Sequence, residues 1–440
     1  MNKRNCHNYL KASSIPVEVD APRLRSPVDP GPAHAPAPAA QLSFGPLGTE
    51  LADAWDRLAV DTGAAPFLRP GWVSLWARSF AGGKRLSVAS LHTGDRLDAV
   101  VPLLRRPLCK GRAASPTNAD TPGFDAVART PSAARALAEG LLTAPDAPRR
   151  YDLRFLTAGG ALAEPLLAVA ARRQDVQVMP LVERRMPRLD VSRGWPRVTL
   201  GWPATRRKTM RRRERRLRER GRLHLDWHCW PAGPVAVHLE EGLQLEAAGW
   251  KGREGTAMLS QPRLERYYRS LWAWADQAGL LGVAYLRLGG RLLAMQVLLR
   301  QPPTVYLMKS AYDEAFREFG PGVLLLRRVL EVATEDPEIE TVEMLGEAEG
   351  HKLDFADGLT EQLRLRLFHG RLAHVTRTVT LLQDAARDRA RDTLRRHLPP
   401  QLRQELRRHG LDLRHGLDLR HGLDLGRLAA VRRDREEHRG

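Results

Sequence analysis

Cysteine is scarce and scattered: Cys6, Cys109 and Cys229 are the only three in 440 residues. An odd number so widely spaced excludes a disulfide framework and a cysteine-based zinc site, and it points to a reducing compartment. No uninterrupted apolar stretch reaches the roughly 20 residues that span a bilayer. Lys3 and Arg4 are not followed by the apolar core of a secretory signal. Together these absences make the cytoplasm the expected location, with no transmembrane segment. Walker-type loops, a Ser-His-Asp pattern and metal-ligand spacings are also missing, so no metal site is expected.

What the chain has in excess is positive charge. Lys and Arg number 70 against 51 Asp and Glu, a formal net charge of +19. The 43% hydrophobic and 28% charged content fits a globular protein long enough for two domains. A charge of this size implies an anionic partner: a phosphorylated co-substrate, nucleic acid or an anionic membrane surface. Much of it is local. The helix running from Arg206 to Arg220 holds Lys208 and nine arginines against Glu214 and Glu219, with only Met210 and Leu217 to pack. It reads either as a surface for phosphates, whose affinity falls steeply with salt, or as a solvated helix. No base-reading module accompanies it.

Composition and periodicity divide the chain into four parts. Residues 1–43 are rich in Pro and Ala and form a disordered extension. Residues 44–195 read as a first α/β unit. Its first helix begins at Phe44, with Leu47, Leu51, Ala54, Trp55 and Leu58 at helical spacing, and a second follows Pro70-Gly71. Strands are expected at 86–91, 99–104 and 151–156, and helices at 133–142 and 164–172. Residues 196–375 form a second unit in the order β-α-α-β-β-β-α-β-loop-β, with strands at 222–230, 282–288, 292–299, 304–308 and 341–345. An alternating strand through Leu363, Leu365 and Leu367 ends it. Residues 376–440 form a basic helical tail that runs into three uninterrupted copies of R-H-G-L-D-L at 408–425, read as an expanded repeat of little functional content.

The most informative stretch begins where the apolar strand 305–308 ends. A polar loop closes on Gly320-Pro321-Gly322 and opens into an apolar helix from Val323 to about Ala333. Pro near the first helical position, with Gly beside it, leaves the free N–H groups of the first turn little encumbered. Those groups and the positive end of the helix dipole can receive a phosphate or a carbonyl oxygen. The same sequence also suits any tight loop before a helix.

Several segments carry a resemblance. E-A-A-G-W-K-G-R-E-G-T-A (246–257), L-R-L-G-G-R-L-L-A-M-Q (286–296), Y-L-M-K-S-A-Y-D-E-A-F (306–316), F-G-P-G-V-L-L-L (319–326) and M-L-G-E-A-E-G-H-K-L-D-F (344–355) resemble the FemAB-like branch of the GNAT acyltransferases. That branch includes cellulose-biosynthesis-associated acetyltransferases. P-F-L-R-P-G-W-V-S-L-W (66–76) and D-A-V-V-P-L (98–103) are similar to its first half. The likeness covers about 44–370 and implies an α/β fold with mixed α+β sheets, arranged as tandem GNAT-like acyltransferase domains. It implies acyl transfer, acetyl in the first place, from acetyl-CoA or another acyl-CoA as co-substrate. The acceptor would be an amine or hydroxyl on a small molecule or saccharide, in polysaccharide or cell-envelope biosynthesis. In peptidoglycan-type relatives the donor is an aminoacyl-tRNA. The usual R/Q-x-x-G-x-G/A pyrophosphate loop is here shortened to Gly320-Pro321-Gly322.

On this reading Gly320, Pro321, Gly322 and Val323 bind the donor, with the amides of Gly322 and Val323 facing its pyrophosphate. Lys309 and Asp313 flank the thioester as charge stabiliser and base. Glu246 and His351 are further acid/base candidates, because acyl transfer needs a proton acceptor or a donor to the developing oxyanion. Trp250, Lys251, Tyr312 and Lys352 form the acceptor side. Each has a plainer reading: Trp250 as a packing anchor, Lys251 and Lys309 as solvated lysines, Asp313 as a turn residue, His351 as a surface histidine, Lys352 as a partner of Asp354. A different class also fits the +19 charge: a nucleic-acid- or membrane-associated binding protein on a degenerate acyltransferase scaffold.

Overall fold

Runs of apolar residues with β-branched members, such as Arg96–Arg106 and Arg291–Gln301, are buried along most of their length and form central strands. The computed structural model describes residues 40–106, 109–229 and 236–397. Residues 1–39 of the expected extension, with Cys6, and the repeat at 408–425 lie outside the described residues. Thirteen strands make one mixed sheet, flanked by helices.

Each half contributes an antiparallel block. In the first, Gln41–Gly45, Arg85–Thr93 and Arg96–Arg106 pair in order. In the second, Leu223–Cys229, Leu281–Leu288, Arg291–Gln301 and Thr304–Tyr312 do the same. The blocks are joined by a strand that the sequence pattern does not announce. Val176–Asp190 pairs antiparallel with Gly358–His369 on one side and with Thr341–Glu343 on the other. Gly358–His369, which the sequence places at the end of the second half, also pairs with Arg150–Thr157 of the first. The chain thus crosses back, and one sheet runs through both halves.

Several boundaries differ from expectation. Residues 41–43, assigned to the extension, lie in a strand against Arg85–Thr93, and the first helix starts at Thr49 rather than Phe44. Strand Thr304–Tyr312 continues past Met308, so Lys309 lies within it. Trp250–Arg253 and Gly350–Leu353 are short helices where loops were expected.

The halves also share a core. Trp72 and Trp76 of helix Pro70–Phe80 pack with Tyr267, Tyr268, Leu271 and Trp272 of helix Pro262–Gln277. Edge-on ring contacts join Phe80 to Tyr267 (4.8 Å) and Phe67 to Tyr306 (5.5 Å). The two helices meet at Gly71, where a Cβ would stand 2.0 Å from the Trp274 indole nitrogen. Gly71→Ala is therefore expected to destabilise the protein by about 1–3 kcal/mol through overpacking. The check is the urea midpoint, with the probes of both halves moving together.

Candidate functional site

Strand Thr304–Tyr312 buries Val305 and Leu307 and then changes course. Val297 faces Lys309 while Leu298 faces Leu307, so Met308 is the extra residue of a β-bulge. A bulge bends its strand and redirects the following side chains. On the other edge the strand runs parallel to Thr341–Glu343, but the ladder covers only Thr304, Val305 and Tyr306. Beyond it one strand continues to Tyr312, and the other turns away through Met344, Leu345 and Gly346. The gap between them holds a cavity of about 690 Å³, within the range of small-molecule sites.

Helix Pro321–Ala333 closes one end. It buries Leu324, Leu325, Val329 and Leu330 against the sheet and has Pro321 in its first turn after a left-handed Gly320 (φ 59°). Gly320, Pro321, Gly322 and Val323 all line the cavity. Their amides are not equivalent. The N–H groups of Val323 and Leu324 both donate to Gly320 O at 3.0 Å. Gly322 N–H has no acceptor among the described residues, so one free amide stands where two were expected. Two guanidinium groups make up for it. Arg213 and Arg317 line the same end, and neither forms an ion pair among the described residues. A Cβ on Gly320 would lie 2.9 Å from Arg213 Nη1.

Arg213 was hidden in the basic run, yet its spacing marks it. Met210, Arg213, Glu214 and Leu217 recur at i, i+3, i+4 and i+7, one face of helix Ala204–Arg218. Met210 and Leu217 are buried, and Glu214 accepts from Arg218, Arg327 and Arg328. Burial pushes the Glu214 carboxyl up, but these three guanidinium groups outweigh it and hold it below the usual range. Glu214 thereby fixes the basic helix to helix Pro321–Ala333 and sets Arg213 at the cavity mouth.

Deeper in, Glu246 is 2% exposed. Its carboxylate accepts from Lys251 Nζ at 2.9 Å and from Met258 N at 2.8 Å, and Lys251 also donates to Ser310 O at 2.6 Å. Trp250 and Tyr312 are partly exposed on the wall. Trp250 N–H donates to Glu314 Oε1 at 2.8 Å. His351 lines the rim and faces Glu349 at 3.5 Å. Lys352 Nζ donates to Leu345 O at 2.9 Å rather than pairing with Asp354, which is held by Arg206. Burial pushes the Lys352 ammonium below its ordinary 10.5; Glu349 opposes this, while Lys251 and Arg184 add to it.

Asp313 does not line the cavity. It accepts from Arg291 at 2.6 and 2.9 Å, and from Ala315 N at 3.0 Å as the cap of the turn Glu314–Phe319. A capping carboxylate engaged by arginine matches the turn residue of the plainer reading. Lys309 does reach the site. Its Nζ lies 3.3 Å from Asp120 Oδ1 and 4.8 Å from the Tyr268 ring centre, and Tyr268 donates its hydroxyl hydrogen to Asp120 at 2.7 Å. Asp120, from the first half, is a site carboxylate that no motif indicated. It lines an adjoining cleft of about 520 Å³ with Thr121, Arg154, Phe155, Glu183 and Arg184. Met308, Lys309, Leu345 and Gly346 line both spaces.

Among the described residues no three His, Cys, Asp or Glu side chains could hold a metal ion. None of the described helices is long and apolar enough to cross a membrane.

Residues 204–353, which supply the walls of the larger cavity but not Asp120, Arg154, Phe155, Glu183 or Arg184 of the adjoining cleft, match the acetyltransferase (GNAT) domain family. Among solved structures, that of FemX is similar over 74% of this chain and 97% of its own, with a TM-score of 0.50 and 10% identity. The C-terminal domain of a putative lysylphosphatidylglycerol synthetase from Agrobacterium fabrum covers 76% of this chain and 95% of its own (TM-score 0.44, 13% identity). A tandem GNAT protein from the clavulanic acid biosynthesis pathway covers 75% and 98% (TM-score 0.37, 17% identity). No curated protein matches the chain. The fold is thus like that of FemX, with a GNAT-type domain at residues 204–353.

The depressed Lys352 carries a prediction. Between its native value and 10.5 the unfolded chain binds more protons, so folding stability rises with pH through that window. Urea unfolding across the alkaline range is expected to show this rise in the wild type, and Lys352→Met is expected to flatten it.

Proposed function

We propose that the protein transfers an acyl group from an acyl-CoA to an amine or hydroxyl, using the gap between strands Thr304–Tyr312 and Thr341–Glu343. The observation that carries the reading is that one end of this gap offers anion-binding groups and the other a lysine paired with a carboxylate. Gly322 N–H, Arg213 and Arg317 fit a diphosphate: an open amide at a helix N-terminus between two unpaired guanidinium groups. The nearest atoms to a Cβ on Gly322 would be those of Tyr312, from 3.6 Å, an ordinary contact distance. The bound donor supplies an activated acyl carbon.

The remaining steps fall to the chain. The acceptor enters by the cleft that shares Lys309 with the cavity. Its nucleophile attacks the acyl carbon, its proton passes to the Asp120 carboxylate, and the Lys309 ammonium holds the negative charge that develops on the acyl oxygen. Collapse of this intermediate breaks the carbon–sulfur bond, and the coenzyme A thiolate leaves, taking up the proton held by Asp120. Tyr268, donating to Asp120, orients that carboxylate. Glu246 and Lys251 brace the wall as a buried pair, and His351 at the rim serves as a contact for the leaving side. Trp250, Tyr312 and Lys352 complete the pocket around the acyl chain. The resemblance supports an acetyl donor and a saccharide or envelope-precursor acceptor in the cytoplasm.

A second reading has its own support. The helix that brings Arg213 to the mouth continues outward with exposed Arg211, Arg212 and Arg215, a track for a polyanion whose activated end enters the cavity. An aminoacyl-tRNA is such a donor, and FemX-type architecture accords with it.

Two outcomes are expected. Acetyl-CoA raises the melting temperature, tRNA does so less, and Gly322→Asp abolishes the acetyl-CoA shift by placing a carboxylate against the diphosphate. An unchanged shift in Gly322→Asp would remove the donor assignment, whereas a shift with tRNA alone would favour the second reading. With an acceptor found from a panel of amino sugars and polyols, Lys309→Met is expected to lower kcat about 100-fold.

A further inference from the structure

We propose that the cleft beside Lys309 recognises the acceptor by an anionic group, a carboxylate or a phosphate, seated against the Arg184 guanidinium. The word acceptor rests on the acyl-transfer reading; the anion site does not.

Three features of the cleft converge on Arg184. First, its charge has no ion-pair partner among the described residues. It is half-buried, it donates to Thr121 O at 3.3 Å, and its guanidinium lies 4.0 Å from the Phe155 ring centre. A planar guanidinium on an aromatic face keeps its edge donors available, and that fork matches the oxygens of a carboxylate or phosphate. Burial pushes its pKa down, the Glu183 and Glu347 carboxylates oppose this through space, and Arg154 adds to it.

Second, the carboxylates around it are committed elsewhere. Asp120 takes Lys309 and Tyr268. Glu183 takes Arg154, with Nε to Oε1 at 2.6 Å, and the Phe155 amide at 3.2 Å. Glu183 and the exposed Glu347 both act on Arg184 through space, but neither forms an ion pair with it among the described residues. Of the two, Glu347 is the one without another ion pair among those residues, solvated on the cleft wall. A counter-ion placed to leave is what a site for an exchangeable anion needs.

Third, the backbone is held in unfavourable shapes just here. Phe155 (φ 55°) and Leu345 (φ 46°) are the non-glycine residues with left-handed backbone among the described residues, and both wall this cleft. Bulky side chains avoid that region, and such backbone persists only where its surroundings enforce it, most often at functional sites. Here the Glu183 carboxylate enforces one and the Lys352 ammonium the other. The strained Phe155 is the platform under Arg184.

The test has a binding arm and a kinetic arm on the full chain. In excess coenzyme A, phosphate and acetate are titrated against wild type, Arg184→Gln, Arg184→Lys and Glu347→Gln by calorimetry. Wild type is expected to bind at least one of the two anions, Arg184→Gln to bind it about tenfold more weakly or worse, and Glu347→Gln more tightly. Arg184→Lys, which keeps the charge and loses the fork, falls between and serves if the Gln variant does not fold. In the kinetic arm, glucosamine, glucosamine 6-phosphate and glucosaminic acid are compared as acceptors. An advantage in KM for the phosphate or for the carboxylate identifies the source of the anion, and Arg184→Gln is expected to erase it. Anion binding equal in wild type and Arg184→Gln would sink the proposal, as would a Glu347→Gln variant that binds anions no better and unfolds more readily. Absent turnover with every donor, alongside lost anion binding in Arg184→Gln, would sink the acyl-transfer reading and leave the anion site standing.

Discussion

A parallel ladder between Thr304–Tyr312 and Thr341–Glu343 that lasts three residues is the constraint from which the site follows. Parallel strands need a crossover, here helix Pro321–Ala333, and that helix begins close to where the strands separate. The bulge at Met308 bends one strand, and the turn through Leu345 takes the other away. A longer ladder would close the cavity and leave Gly322 N–H facing sheet. A shorter one would cost the hydrogen bonds that fix the two edges. The opening is kept by what lies across it: Lys251 bridges Glu246 to Ser310 O, and Lys352 holds Leu345 O.

The second half alone does not complete this arrangement. Lys309 finds its carboxylate in Asp120 of the first half, and Arg184 lies on the connecting strand Val176–Asp190. A shift of that strand would move Arg184, Glu183 and the ladder to Thr341–Glu343 together. The shared aromatic core of Trp72, Trp76, Tyr267 and Trp272, and the return of Gly358–His369 into the first half's sheet, oppose such a shift. Chemistry at a junction of this kind needs the halves to be rigid relative to one another, because catalytic groups lose effect steeply with small displacement.

How much of this was readable depends on which force set each element. Leu86, Val100, Leu298 and Val329 sit in strands and helices whose burial follows from periodicity, and the mixed α/β order and the Gly320–Val323 helix start are legible from it. Val176–Asp190 is not. It carries Pro180, Pro187, Glu183 and three arginines inside a sheet, against the usual composition of an internal strand. Pairing on both edges, supplied by segments far away in sequence, overrides local preference. Most of the candidate site residues, from Glu246 to Lys352, come together because their motifs flank one gap. Asp313 lies off the cavity lining for a local reason: a carboxylate two residues before a free amide caps its own turn. Asp120 and Arg184 left no local signal, because their contacts with Lys309 and Thr121 are made only between segments far apart in sequence, whereas Arg213 left one in the face it shares with Met210 and Leu217.

The excess positive charge resolves along the same lines. In the basic helix Arg206 is held by Asp354, Arg207 donates to Trp202 O at 2.5 Å, and Arg218 is held by Glu214. Arg216 and Arg220 lie 4.9 and 4.7 Å from the Phe319 ring centre and face Glu318. A surface evolved only to track a polyanion would leave such groups free for phosphates. Here they fix the turn that ends at Gly320, since Phe319 is fully buried beside it. The helix therefore acts first as scaffold for the mouth of the cavity. At that mouth it leaves Arg213 without an ion pair beside the likewise unpaired Arg317, and the junction leaves Arg184 without one in the adjoining cleft. Guanidinium groups that form no ion pair among the described residues thus line both of the spaces that meet at Lys309.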